Sequence, residues 1–122
     1  MMWSVIGAAG LALAVMLGAF GAHGLRGKLD AYSMGIYERA VFYHFIHAIG
    51  LLVVPVLARM NALRQPAGTL VSALLFAGIA IFCGSLYLLA VTGTRWLGAI
   101  TPIGGVCFIA AWLVLAAAIA RG

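Results

Sequence analysis

Three histidines, His23, His44 and His47, are the residues of this sequence whose type and spacing best suit chemistry. His44 and His47 are three positions apart, so on a helix both lie near one face. Three imidazoles can bind a metal ion such as Zn²⁺, which makes these histidines candidate metal ligands. No Asp, Glu or Cys is obviously placed to complete the site, and a haem pocket would need a second subunit. We therefore rank neutral histidines, hydrogen-bonded to other side chains or to the backbone, above a metal site, and a metal site above a haem.

No other arrangement in the sequence points to catalysis. A nucleophile–base set, a Walker phosphate loop and a dinucleotide-binding fingerprint are all missing, and Gly104-Gly105 alone is not a phosphate site. The remaining enzymatic hypothesis is a lipid-modifying activity with His47 as the general base. We therefore expect a protein without enzymatic activity and without a cofactor.

The composition shows which elements must position these residues. Of 122 residues, 66% are hydrophobic and only 7% are charged, whereas soluble domains carry about 25% charged residues. This excludes a soluble domain, a disordered chain and a disulfide scaffold. Four stretches carry no charge, and each is close to or above the ~20 residues that a helix needs to cross a membrane. They are residues 1–25, 40–58, 65–94 and 96–120.

These stretches predict a single membrane domain over 1–122, an all-α integral membrane four-helix bundle with up-down-up-down topology. Between helices one and two, Leu25, Leu29, Tyr32 and Ile36 recur at helical spacing among charged residues. Such a pattern is typical of a short amphipathic helix on the membrane surface. The expected spans are 3–22, 39–58, 67–91 and 97–120, with the interfacial helix over 25–38.

Alternating helices place the unusual polar residues in one half of the bundle, where helices one and three end and helices two and four begin. The other half holds almost no intramembrane polar groups beyond Thr69 and Ser72. Buried polar groups in lipid must find partners, and ionisable ones are candidates for function. The cluster is either bonded internally or forms a site around His23, Tyr43 and His47 for a metal, a haem, a quinone or a transported solute. Its predicted members are His23, Tyr43, His44, His47, Ser85, Tyr87 and Thr101.

Small residues on the same helices predict where backbones approach each other. Gly10, Ala14, Gly18 and Ala22 follow a four-residue spacing, which puts them on one face of helix one. Such stripes let membrane helices pack closely. The predicted packing residues are Gly10, Ala14, Gly18, Gly21, Gly84, Gly104 and Gly105.

Four segments carry a resemblance to a known family. They are GAFGAH at 18–23, YHFIHA at 43–48, GSLY at 84–87 and TPIGGVCF at 101–108, followed by Trp112. Together they resemble a family of small four-helix membrane proteins known only as a domain of unknown function, with bacterial inner-membrane members and a eukaryotic transmembrane relative. The matching positions are Gly18, Gly21, His23, Tyr43, His47, Gly84, Ser85, Tyr87, Thr101, Pro102, Gly104 and Gly105.

The resemblance implies an inner-membrane four-helix protein and supplies no established activity. The family does not require histidine at position 44, which argues against a metal site built on His44 and His47. On this basis the sequence predicts a non-enzymatic scaffold, accessory or lipid-binding membrane protein. Its expected partners are membrane lipids, with a homo-oligomer or a larger membrane complex as open alternatives.

The charges bear on partners and orientation. The net charge of +5 comes from scattered Arg and Lys with no basic run, so nucleic acid is not an expected partner. Three of these residues lie on the side of the termini and four on the other, so their number gives no bias. The 59–66 loop is basic without any acidic residue, which favours cytoplasmic termini for a multi-pass protein of the inner membrane.

Overall fold

Four long helices make up the bundle, and a computed structural model describes all 122 residues. Each helix is long and apolar enough to span a membrane, and no strand is present. The connections are short, so successive helices run antiparallel, and the predicted all-α membrane bundle is confirmed. The helices are α1 (Met2–Leu25), α2 (Ala31–Arg59), α3 (Ala67–Thr92) and α4 (Leu97–Arg121).

The expected interfacial helix over 25–38 is wrong as a separate element. Instead, α2 begins at Ala31 and continues without a break to Arg59. The Asp30 carboxylate caps it by accepting the Ser33 N–H at 2.7 Å. Of the residues whose spacing suggested a surface helix, Leu25 ends α1 and Leu29 lies in the connection, whereas Tyr32 and Ile36 lie in the first turns of α2. Its first turns pack against the end of α3, where Tyr37 lies in one apolar cluster with Leu86.

The Asp30 cap predicts a measurable acid sensitivity. The hydrogen bond from the Ser33 backbone N–H holds the pKa of the Asp30 carboxyl below its ordinary value. A carboxyl whose pKa is lower in the folded state stabilises the fold above its unfolded pKa, and this stabilisation is lost as the pH falls through the folded value. Asp30→Asn should retain the cap, because an amide oxygen also accepts the N–H, but lose this pH dependence.

Thermal unfolding followed by circular dichroism in detergent, from about pH 6 to about pH 3, measures the difference. The Tm of the wild-type protein should fall more steeply toward acid than that of Asp30→Asn. Equal slopes of Tm against pH would show that the charge of the Asp30 carboxylate does not contribute to stability.

The way the helices pack leaves a gap between α1 and α3. Helix α2 packs against both α1 and α3, and α4 packs against α3. At the level of side chains, α1 meets α3 where the rings of Trp3 and Phe76 lie 5.7 Å apart. The consequence is a groove between α1 and α3 whose floor is α2.

Glycine sets two of the closest backbone approaches. A Cβ built on Gly7 of α1 would lie 2.6 Å from the Leu52 nitrogen of α2, and one built on Gly104 of α4 would lie 2.4 Å from the Phe82 nitrogen of α3. Phe82 belongs to a π-helical segment of α3, Ile79–Cys83. A second π-helical segment, Gly21–Leu25, ends α1. Neither segment was foreseen from the sequence.

The predicted packing residues divide into three groups. Ala14 is fully buried, and a Cβ at Gly21 would overlap the Tyr37 ring. Gly10, Gly18 and Gly105 are at ordinary contact distance from their neighbours, whereas a Cβ on Gly84 would meet nothing within 4 Å. Gly84 is therefore not a helix-packing position, and it faces the groove instead. Close contacts that the sequence analysis did not single out involve Gly7, Gly50 and Gly78.

Candidate functional site

His44 lies at the middle of the bundle and forms a hydrogen bond with α3. It is the fourteenth of the 29 residues of α2 and only 3% exposed. Its Nδ1 lies 2.8 Å from the Tyr87 hydroxyl oxygen. On the other side of the ring, Nε2 faces α1 at Gly10. One imidazole thus connects the inner surfaces of three helices.

His47 faces a different neighbour, α4. Its Nδ1 lies 2.7 Å from the Tyr43 carbonyl oxygen, one turn earlier. Its ring stacks on Phe108 with 3.6 Å between centroids, and Trp112 lies 5.6 Å away. The two α2 histidines therefore belong to different packing environments, since His44 is bonded to α3 and His47 is stacked on α4.

Ser85 and Thr101 join α3 to α4. Their hydroxyl oxygens are 2.6 Å apart. The Ser85 hydroxyl is also 2.9 Å from the Phe82 carbonyl oxygen, within the π-helical segment, and the Thr101 hydroxyl is 3.3 Å from the Leu97 carbonyl oxygen. Short side chains that bond the backbone of their own helix and each other form a local polar clasp between the two helices.

His23 does not join the other histidines. It lies in the π-helical turn that ends α1 and is exposed. The structure contains no group of three His, Cys, Asp or Glu side chains that could hold a metal ion. The three weak metal candidates are therefore not assembled into one site. Cys83 and Cys107 form no disulfide bond.

The groove between α1 and α3 is the first of two notable cavities. It encloses about 450 Å³ and is lined by residues 6–17 of α1, 44–51 of α2 and 76–87 of α3. The lining is almost entirely apolar, and the polar side chains in it are His44 and Tyr87. Because these two bond each other, the groove presents a hydrocarbon surface with one satisfied polar pair at its floor.

A polar pocket of about 380 Å³ lies between the same three helices at the end that carries the termini. It is lined by Trp3 of α1, Arg59 of α2, and Thr69 and Ser72 of α3. The Ser72 side chain is 0% exposed, and its hydroxyl has no hydrogen-bond partner. The sequence analysis noted Thr69 and Ser72 only as isolated polar residues, and nothing in their spacing revealed a shared pocket.

Comparison with known families identifies the chain. A family model described as a protein of unknown function (DUF423) matches residues 17–105. The chain belongs to the DUF423 family. The matched region contains Arg59 and Ser72 of the pocket as well as His44 and Tyr87 of the groove, so the main polar groups of both cavities lie inside the DUF423 region. The family predicted from the sequence is confirmed.

Relatives of this DUF423 chain are membrane proteins without a described activity. A UPF0382 membrane protein of Staphylococcus epidermidis is 51% identical over 112 residues, which cover 91% of this chain and 88% of the relative. The UPF0382 membrane protein YwdK of Bacillus subtilis is 47% identical over 115 residues, covering 93% and 92% of the two chains. No solved structure matches the chain. The comparisons establish a membrane protein of unknown function.

Proposed function

We propose that this DUF423 protein is a non-enzymatic, lipid-binding membrane protein, and that the groove between α1 and α3 holds one hydrocarbon chain. The observation that carries the proposal is the open apolar groove of about 450 Å³ between α1 and α3. Helices within a membrane protein usually pack closely against each other and leave no gap between them. Where two helices leave a gap between them, an apolar group from the surroundings fills it. In a bilayer that group is an acyl chain.

The size of the groove supports a lipid chain. Its lining on α3 extends from Phe76 to Tyr87, which at ~1.5 Å per residue is about 16 Å. One leaflet of the hydrocarbon core is about 15 Å thick, half of the ~30 Å core. The groove is therefore about as long as a single acyl chain.

The polar cluster supports a binding role over catalysis. His44 is bonded to Tyr87, and His47 is bonded to the Tyr43 carbonyl and stacked on Phe108. Ser85 is bonded to Thr101. Such mutual bonding removes the desolvation cost of polar groups in lipid and leaves no nucleophile beside a free base.

Substitution at Gly84 tests the proposal. Gly84 faces the groove with open space around its Cβ position, so Gly84→Leu should fill the groove without disturbing helix contacts. Gly35→Leu is the matched control, because Gly35 is also helical with nothing within 4 Å but lies on an exposed face outside the groove. Native mass spectrometry of protein extracted in mild detergent measures the bound lipid.

The wild-type protein and Gly35→Leu should retain one lipid, and Gly84→Leu should retain at least about tenfold less, the ratio expected for ~1.4 kcal/mol of lost binding. A wild-type protein that carries no lipid would refute the proposal. So would a dimer that persists in detergent and dissociates only in Gly84→Leu, because a second copy would then be the occupant of the groove.

We also propose that the protein lies in the cytoplasmic (inner) membrane with both termini in the cytoplasm. The 59–66 loop supports this orientation because it carries Arg59 and Arg64 and no acidic residue. A cysteine introduced as Arg64→Cys should react with a membrane-impermeant maleimide only after the cells are permeabilised. Labelling of intact cells would reverse the orientation.

A further inference from the structure

The polar pocket and the apolar groove follow one another along the same three helices. Along α3 the pocket ends at Ser72 and the groove begins at Phe76, one turn further into the membrane. Trp3 lines the pocket, and its ring packs against Phe76 at 5.7 Å, so this aromatic pair lies where the two parts meet. A molecule with a polar head and an apolar chain has the same order of surfaces.

The pocket offers positive charge without a counter-ion. Arg59 lines it and forms no salt bridge. The acidic residues of the chain are Asp30 and Glu38, and both belong to the opposite end of α2. At the edge of the hydrocarbon region, where screening by water is reduced, an unpaired guanidinium attracts an anion and binds phosphate oxygens with fixed geometry.

Two buried donors in the pocket also lack acceptors. The Ser72 hydroxyl is fully buried and has no partner. The N–H of Gly68, in the first turn of α3, forms no hydrogen bond, because the first N–H groups of a helix have no carbonyl partner within it. Buried donors in folded proteins are almost always satisfied. Together with Arg59 they suit a ligand rich in acceptor oxygens.

We infer that the pocket binds the phosphate of an anionic phospholipid whose acyl chain occupies the groove. Arg59 contacts the phosphate, and the Gly68 N–H and the Ser72 hydroxyl face the remaining head-group oxygens. A zwitterionic lipid is disfavoured because no Asp or Glu side chain lines the pocket to bind its ammonium group. The inference rests on the proposed lipid-binding function and specifies its ligand class.

The test is competition between two lipids with identical acyl chains. Protein in mild detergent is mixed with equimolar phosphatidylglycerol and phosphatidylcholine, and the bound lipids are counted by native mass spectrometry. The wild-type protein should prefer phosphatidylglycerol by about fivefold or more, the contribution of one basic residue near an anionic surface. Arg59→Gln should bind both lipids equally.

Arg64→Gln is the matched control because it removes one positive charge from the same loop but does not line the pocket. It should keep the wild-type preference, and a loss equal to that of Arg59→Gln would show general charge attraction and overturn the inference. Ser72→Ala should lower the preference while leaving the thermal stability of the lipid-free protein unchanged or higher. A structural role for Ser72 would instead lower that stability.

The outcomes separate this inference from the proposed function. A wild-type protein that binds no lipid refutes both. Equal binding of the two lipids refutes the head-group site and leaves the chain in the groove. Inorganic phosphate is the third probe: if it displaces phosphatidylglycerol from the wild-type protein at millimolar concentration, the pocket takes a free ion, and the lipid assignment is wrong.

Discussion

Gly104→Ala should destabilise the bundle strongly. The added Cβ would lie 2.4 Å from the Phe82 nitrogen and 2.7 Å from its Cα, and both atoms are backbone. The Phe82 backbone is further held by the Ser85 hydroxyl, which bonds its carbonyl, so it cannot move without breaking the clasp to α4. Overpacking of this kind costs about 1–3 kcal/mol. The measurement is reversible unfolding in mixed micelles of increasing dodecyl sulfate content.

Gly105→Ala is the matched control for this substitution. Its Cβ would meet only the Phe82 ring, at 3.7 Å, which is ordinary contact. Since alanine favours a helix over glycine by about 0.5–1 kcal/mol, this variant should be as stable as the wild-type protein or more stable. If the two alanine variants have the same free energy of unfolding, the backbones of α3 and α4 do not approach each other at Gly104 as described.

Removing either partner of the hydrogen bond between His44 and Tyr87 should also lower the free energy of unfolding strongly. Removing both partners together should recover part of that loss. In His44→Leu the Tyr87 hydroxyl loses its partner at 2.8 Å, and in Tyr87→Phe the His44 Nδ1 loses the same bond. An orphaned polar group away from water costs about 1–3 kcal/mol. The double variant removes both polar groups, so its free energy of unfolding should lie closer to wild type than the sum of the single losses.

A double-mutant cycle on the same unfolding assay measures this coupling. Hydrogen bonds between membrane helices average about 0.6 kcal/mol and reach about 1.7 kcal/mol, and the buried position of His44 places this pair toward the upper value. Additive losses, with no coupling, would mean that the imidazole and the phenol do not bond in the membrane.

The membrane bundle could be predicted because charge is nearly absent from four long stretches, and only helices satisfy their own backbone in lipid. The same sequence misled at 25–38. Leu25, Leu29, Tyr32 and Ile36 have the spacing of a surface helix, but Leu25 ends α1, Leu29 lies in the connection, and only Tyr32 and Ile36 belong to the long helix that begins at Ala31. Apolar spacing does not show where one helix ends and the next begins.

The half of the bundle that holds the cluster of polar residues could be predicted, whereas their individual partners and the cavities could not. Depth in the membrane placed Ser85, Thr101, Tyr87 and His44 in one half of the bundle, and the structure bonds Ser85 to Thr101 and His44 to Tyr87. The groove arises because α1 packs on α2 and stands apart from α3. That arrangement depends on contacts such as Gly7 against Leu52, which single-helix patterns do not reveal. Gly84 shows the limit, since a small residue suits close packing and open space equally.

A structure of the protein in a nanodisc that contains phosphatidylglycerol tests the central claim most directly. The account predicts elongated density between α1 and α3, beginning beside Arg59, passing the Trp3–Phe76 pair and ending near Tyr87. A groove closed by the movement of α1 onto α3, or filled by a helix of a second copy, with no lipid density, would contradict it.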